Sequence, residues 1–380
     1  VTEALPYIVI LLTLALVIKP YVQKCPEIGV KKMYAYGFQQ LDYRYMFVFV
    51  AYVVYILFAV FKKIDYNFGA KDAYYYMQYF ADIPRSFILY MTQITTFELG
   101  YSAVTWLFRQ FTADYRIMLW FWHTLTFCLT VKFLRKIDLK KYAFLPVFLI
   151  LFTLVSQFNT LRMSVSIAIA LMALPALNEE KWIKSFLIII IAASMQISAA
   201  ILIPVWIVVF IIKHRDYPVR LIILFTLLGL AATVFLMGYV LAFMAGTAKG
   251  VYLGESSLAI GTYCAVLVIF VLCVIKYREM VRLNPLNQIF IIMLPICFLC
   301  VPLQLKAAIM YRLTLYFVPV MMALIPSLCQ CYNTRKHSAV GAAVVCILYA
   351  YAFYRAYSFF TEEIISVGPY VSTLLGMVLK

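Results

Sequence analysis

Apolar residues in this chain come in long unbroken runs, and charge falls in short blocks between them. Runs of about 20 apolar residues match a hydrocarbon core of roughly 30 Å. They predict membrane-spanning helices near residues 5–20, 44–61, 113–131, 142–157, 161–178, 219–245, 257–275, 287–303, 312–331 and 338–358. The stretch from Trp182 to Ile212 breaks the scheme, because its only charge is Lys184 and a single helix of that length would reach roughly 46 Å. Lys181 and Lys184 precede it, and Lys213, Arg215 and Arg220 follow it. A single crossing would therefore put one basic block on the wrong side, since basic residues stay on the cytoplasmic side. Two short helices turning near Gln196, Ile197 and Ser198 return the chain to the side it left.

With that hairpin the pattern predicts an all-α polytopic membrane protein of roughly twelve crossings with both ends outside, most basic residues lying in cytoplasmic segments. The run from Leu5 to Ile18 follows Glu3 and leads into Lys19 and Pro20 without a small-residue cleavage site, so it reads as a retained span. The segment 62–114 interleaves aromatic and polar residues throughout. It reads as interfacial helices lying on the outer face, because a span prefers uniform apolarity. No repeat, inverted half or linker divides the chain, which is expected to be one integral domain over residues 1–380.

Composition agrees: 66% of the residues are apolar and 13% charged, with a mean hydropathy of +0.95. Soluble enzymes, disordered scaffolds and disulfide frameworks are excluded. The net charge of +16 is explained by topology, so nucleic acid is not expected as a partner. Cysteines sit mainly in apolar runs, and the lone C-x-x-C at Cys297 and Cys300 supplies too few ligands for zinc. No metal or cofactor is expected. There is no zincin motif, nucleophile elbow, Walker loop or D-x-D of a nucleotide-sugar transferase, which argues against ATP-driven transport, zinc proteolysis and serine hydrolysis.

Where charge is this scarce, each ionisable residue beside a span on the outer side is a functional candidate. Arg162 begins an apolar run after the break Ser156, Gln157, Phe158, Asn159 and Thr160, and Arg312 in YRLTLYF holds the equivalent place. A guanidinium fork matches phosphate bidentately and stays charged. A lone arginine there is as well explained by snorkelling. Two at one depth on one face are more than snorkelling requires, and could clamp a diphosphate. Asp72 in GAKDAYYYMQYF and Glu98 in FELGY place carboxylates among aromatics, as candidate bases with sugar-stacking surfaces nearby. Equally, they could cap helices or pair with Lys71, Arg109 or Arg162. His123, in mid-span, reads as a hydrogen-bonded packing residue. His214 and His337 lie in solvated basic blocks.

The run FNTLRMSVSIAIALMALPAL, then a basic turn and FLIIIIAASMQISAAILIPVW, resembles the EpsG-like branch of bacterial polysaccharide polymerases, related in function to the Wzy O-antigen polymerases. GAKDAYYYMQYF resembles that family's glycine, aspartate and tyrosine segment, and FELGYSAVTWLFRQF its E-x-G-[FY] segment. YRLTLYF and VGPYVSTLL resemble its late arginine and proline-tyrosine segments.

The resemblance implies a glycosyltransferase of the bacterial inner membrane that joins oligosaccharide repeat units carried on undecaprenyl diphosphate, at the periplasmic or outer face. Such enzymes build O-antigen, capsule or exopolysaccharide. The lipid diphosphate would be the leaving group, so no cofactor is needed. Arg162 and Arg312 would neutralise the diphosphate, and Asp72 or Glu98 would deprotonate the acceptor hydroxyl. Tyr75, Tyr76, Asn159, Gln196 and Tyr311 would line the substrate site. The partners implied are the lipid-linked oligosaccharide, the bilayer and a chain-length regulator. The family usually has histidine where this chain has Gln196, and glutamine where it has Met163; Gln196 cannot titrate. The rival readings are a flippase or transporter for a lipid-linked oligosaccharide, and an O-antigen-type ligase.

Overall fold

A computed structural model of the chain describes residues 5–22, 43–64, 71–95, 97–137, 160–213, 219–246, 260–307 and 310–332, with single positions at 147 and between 339 and 379. The described residues are helical almost throughout. The exception is a two-residue antiparallel pair, Tyr370–Val371 with Val378–Leu379. The helices are α1 Leu5–Val22, α2 Tyr43–Val60, α3 Lys71–Ala81, the single turn α4 Phe87–Leu89 running into a π-helical turn Tyr90–Ile94, α5 Leu99–Phe111 and α6 Tyr115–Lys136. They continue with α7 Leu161–Asn178, α8 Trp182–Met195, α9 Ile197–Ile212, α10 Val219–Ala245, α11 Ile260–Ile275, α12 Tyr277–Leu283, α13 Leu286–Gln304 and α14 Tyr311–Tyr332.

Five stretches, α6, α7, Val219–Tyr239 of α10, α13 and α14, are long and apolar enough to cross a membrane, and α11 with α12 makes a sixth if that pair, bent by 87°, is one span. Ten of the twelve expected segments fall on helices. The other two, 142–157 and 338–358, lie outside or largely outside the described residues. Between residues 71 and 111 only short helices occur. The longest, α5, is 13 residues or roughly 20 Å, too short to span.

The Trp182–Ile212 stretch folds back on itself. Trp182 meets Trp206 edge-on at 6.3 Å and Phe210 at 5.0 Å, and the Trp206 indole donates to the Trp182 carbonyl at 3.2 Å. In one straight helix, residues 182 and 206 would be roughly 36 Å apart. The break is at Gln196, which is extended (φ −154°, ψ 114°), and a 3-10 turn over Ile197–Ile201 leads into the rest of α9. The turn from α7 into α8 puts Glu180 in the left-handed region (φ 58°), and the Lys181 N–H reaches back to the Ala176 carbonyl at 3.0 Å.

One end of the bundle therefore collects the basic helix ends. Lys136 closing α6, Lys181 opening α8 and Lys213 closing α9 pair with Glu179 or Glu180 at 2.7–3.5 Å. Asn284 and Gln288, at the start of α13, donate to the carbonyls of Ile137 and Lys213 at 2.7 and 3.1 Å. The starts of α7 and α14 and the tip of the α8–α9 hairpin lie at the opposite end. The main core centres on α13, whose residues Ile289 to Leu294 are fully buried all round. A satellite core of Phe80, Tyr90, Tyr101, Tyr115 and Trp122 binds α3 and α5 to α6.

Candidate functional site

At the end opposite the basic blocks, α3, α5, α7 and the hairpin tip meet at Arg162, the second residue of α7. Its Nε donates to the Tyr76 hydroxyl at 3.2 Å, and Nη1 forms a short ion pair with Glu98 Oε2. The guanidinium also lies over the Phe97 ring at 4.3 Å and near the rings of Tyr76 and Tyr101, at 5.6 and 5.8 Å. Both partners of the ion pair are largely buried, with side-chain exposures of 15% and 16%. No described residue accepts from Nη2.

Glu98 occupies the N-cap position of α5 without capping it. Its second oxygen accepts the Ile197 N–H at 3.1 Å. One carboxylate thus ties α5 both to α7 and to the first residue beyond the break in the hairpin. Of the roles open to Glu98 in the sequence, pairing with Arg162 is the one observed. Arg109 instead donates to the Ala81 carbonyl at 3.4 Å and lies over Phe80.

Gly100 makes this approach feasible. A Cβ there would sit 2.3 Å from Ser194 Oγ, 2.9 Å from Ser194 Cβ and 2.9 Å from Met195 Cε, so α5 reaches the end of α8 because no side chain stands at this position. The three marked positions of the E-x-G-[FY] segment therefore have separate physical tasks. Glu98 holds the arginine, Gly100 permits contact with α8, and Tyr101 stacks on Trp122 at 5.6 Å.

Arg312 opens α14 on the other side of the hairpin tip. Among the described residues it has no hydrogen bond or ion pair. Four residues on, past the end of this first helical turn, Tyr316 is buried (1% exposed) and bonds to Ser166 at 2.8 Å. The Ser166 hydroxyl donates to the Ala192 carbonyl at 2.8 Å, so the phenol supplies the proton to Ser166. Ser198, in the tip, lies 3.2 Å from the same phenol and 3.6 Å from Met163 Sδ. Arg162 precedes Ser166 by four residues, and Arg312 precedes Tyr316 by four. Ser166 lies one turn after Arg162 on α7, whereas the helical turn Tyr311–Thr314 that carries Arg312 passes into a tighter turn before Tyr316, whose N–H bonds to the Leu313 carbonyl at 3.4 Å; the Ser166–Tyr316 bond ties this start of α14 to α7. Both guanidinium charges act on the Tyr76 phenol. Burial raises that phenol above its ordinary pKa and Arg162 opposes the rise, so at neutral pH Tyr76 is a neutral hydroxyl.

Asp72 lies one turn before Tyr76 on the same face of α3, and its charge acts on both Tyr76 and Tyr115. Among the described residues nothing is hydrogen-bonded or ion-paired to it. Gln196 is buried at the break in the hairpin, its N–H bound to the Ala192 carbonyl at 3.1 Å. Tyr75 and Tyr311 are exposed. Asn159 lies outside the described residues. His123 is buried and bonded through Nδ1 to the Tyr55 hydroxyl at 3.0 Å, the packing role expected of it. Cys297 and Cys300 are buried free thiols.

Sequence reasoning did not single out Phe97, Ser166 or Tyr316; it named Ser198 only as part of the turn and Gly100 only within a motif. The spacing of Ser166, one helical turn after Arg162, was a legible signal. Its bond to Tyr316 was not.

A family model described as the EpsG family matches residues 42–372, most of the chain. No curated protein and no solved structure matches.

Proposed function

The chain belongs to the EpsG family, a Wzy-like polysaccharide polymerase family, and we propose that it transfers a growing glycan from undecaprenyl diphosphate to the sugar of a second lipid-linked repeat unit. The observation that carries this reading is the pair Arg162 and Arg312, both acting on the Tyr76 phenol, with Asp72 one turn before Tyr76 and the start of α14 tied to α7 by the Ser166–Tyr316 bond. A diphosphate leaving group gains charge as the glycosidic bond breaks, and fixed guanidinium groups lower that barrier more than they improve binding.

The geometry favours unequal roles. Arg162 has two of its donors and one face occupied, and serves as a fixed wall of positive charge. Arg312, without a partner among the described residues, has its whole fork for the phosphates. Glu98 is held by Arg162 and the Ile197 N–H and is poorly placed to take a proton. Asp72 is then the better base for the acceptor hydroxyl, and Tyr75, Tyr76 and Tyr311 offer rings and hydroxyls to sugar. Neither Gln196 nor Met163 can titrate, which fits a base on α3.

In this reading the chain crosses the bacterial inner membrane about twelve times. The basic helix ends face the cytoplasm, and the site faces outward beneath interfacial helices α3 to α5. The gathering of polar groups at one end of the bundle, away from its middle, favours transfer over transport. The test is purified protein with a synthetic undecaprenyl diphosphate oligosaccharide, with and without chelator. A ladder of repeat units that survives chelator is expected. No product from competent repeat units, together with movement of labelled lipid across reconstituted vesicles, would replace polymerase by transporter.

A further inference from the structure

Glycosyl transfer needs its acceptor held as well as its donor, and the two arginines account only for the donor. With the base Asp72 at the start of α3, the side chains that follow it along the helix surface are the ones an acceptor glycan meets. Tyr75, Tyr79 and Asp82 come three, seven and ten residues after Asp72, which keeps them on one strip, and Gln78 flanks it. Tyr75 is 46% and Tyr79 38% exposed, and Gln78 and Asp82 are exposed too. The buried residues of α3, Ala73 and Phe80, point away from this strip.

We infer that this strip is the track for the acceptor's oligosaccharide, an inference that rests on the polymerase reading and names where the second substrate lies. Tyr75 and Tyr79 are four residues apart, so they follow one another at about 6 Å along the helix axis, close to the step from one pyranose ring to the next in a glycan. The apolar C–H face of a sugar packs on a phenol ring, and the hydroxyls at its rim need hydrogen-bonding partners. Beside the two rings stand the Gln78 amide and the Asp82 carboxylate. The Asp82 N–H bonds to the Gln78 carbonyl at 3.2 Å and so continues the last turn of α3. Both rings are braced before any ligand arrives: Tyr75 meets Tyr74 edge-on at 6.2 Å, and Tyr79 meets Phe97 edge-on at 5.1 Å. A surface fixed in advance loses little freedom on binding. Phe97 also packs on the Arg162 guanidinium at 4.3 Å, which joins the strip to the cation assigned to the donor. Composition separates the strip from a lipid-facing surface. Apart from Ala81, every exposed side chain of α3 and its closing Asp82 carries a hydrogen-bonding group, whereas the next turn and α5 expose Ile88, Leu99 and Phe111. Hydrocarbon gives an amide and a carboxylate nothing to bond. The strip starts at the base and not at the arginines, which assigns it to the acceptor.

The test compares acceptors of different length. One probe is a complete repeat unit on a non-cleavable phosphonate lipid, which can only accept, and a second is the same lipid carrying the terminal sugar alone. A third, a repeat unit on diphosphate methylated at its acceptor hydroxyl, can only donate. In nanodiscs, Tyr79→Ala is expected to raise KM for the complete acceptor about three- to tenfold, the loss of one stacked ring, with KM for the single-sugar acceptor and for the donor unchanged. Tyr79→Phe keeps the ring and should recover most of that loss. Damage to the fold would move all three probes together, so the split reports contact with the glycan. Equal KM for the complete acceptor in wild type and Tyr79→Ala would overturn the assignment, as would an equal rise for all three probes. A rise for the donor alone would give the strip to the growing chain. A lower melting temperature in nanodiscs with every KM constant would make the rings an interfacial anchor instead. If the wild type transfers nothing, the polymerase reading fails by itself. Binding of the fluorescent complete acceptor then decides for the strip: affinity about three- to tenfold weaker in Tyr79→Ala supports it, and equal affinity refutes it.

Discussion

The surroundings of Arg162 and of Arg312 differ as a built socket differs from an open hand. Around Arg162 a carboxylate, a phenol and an aromatic ring are all engaged, and the carboxylate also grips the hairpin tip. Around Arg312 the described residues supply no counter-ion, and the nearest tie of its segment to α7 is the Ser166–Tyr316 bond. The contrast shows two permanent cations treated differently. One is given a buried partner that offsets the cost of burying its charge, and the other is not. Each experiment below either breaks that difference or sharpens it.

The largest effect is expected from exchanging the forks for point charges. Arg312→Lys should cut polymer formation by about a hundredfold or more with normal expression, since phosphates lose bidentate contacts that matter most in the transition state. Arg162→Lys should also abolish polymer but lower the melting temperature too, because Tyr76 and Phe97 lose their partner. Full activity in both would sink the diphosphate clamp. An equal thermal loss in both would erase the distinction between them.

Next come the carboxylates. Asp72→Asn is expected to reduce kcat about a hundredfold or more with little change in KM, the size of a lost general base. Glu98→Ala should instead destabilise the fold by about 3 kcal/mol, because it strands a buried guanidinium, and Glu98→Gln should recover part of that through the Ile197 N–H. Kinetics and thermal unfolding of the three variants decide the matter. A kcat loss in Glu98→Gln larger than in Asp72→Asn, at unchanged stability, would exchange their roles.

A smaller change is expected at the contact that brings Glu98 into reach. Gly100→Ala places a methyl group on Ser194 and should cost about 1–3 kcal/mol, the usual penalty of overpacking. Adding Ser194→Gly removes both close atoms of Ser194 and should restore part of the stability, with the Met195 Cε at 2.9 Å and the cost of a helical glycine remaining. No rescue in the double variant would mean that Met195, and not Ser194, sets the limit.

The mildest change is Tyr316→Phe, which removes the bond that ties the start of α14 to α7 and keeps the ring. A loss of about 1 kcal/mol in stability is expected, with kcat falling several-fold and KM for the donor rising, because Arg312 loses its register and Arg162 keeps its socket. Unchanged kinetics would show that the helices hold Arg312 without this bond.

Much of the fold could be read in the chain because lipid imposes a simple rule: apolar length sets span length, and basic blocks set sidedness. The Trp182–Ile212 hairpin is the clearest case, since charge bias alone predicted the return that Trp182, Trp206 and Phe210 display. Apolar runs were mute on what each span faces. The α10 stretch and α13 have similar hydropathies, 2.5 and 2.2, yet 6% of one window is buried and 72% of the other. Lipid and protein core are equally apolar, so no periodicity marks the difference. The bend between α11 and α12 was likewise invisible.

For the site, the sequence by itself named Asp72, Glu98, Arg162 and Arg312, because scarce charge beside a span is costly enough to be informative. It also left open whether Glu98 would act as a base, cap a helix or pair. Only the tertiary structure decided that Glu98 pairs with Arg162, that Gly100 lets it, and that Ser166 bonds to Tyr316. The reason is that these outcomes depend on contacts between residues 64 to 150 positions apart. A local pattern fixes which face of a helix a residue occupies, but not which partner that face will meet.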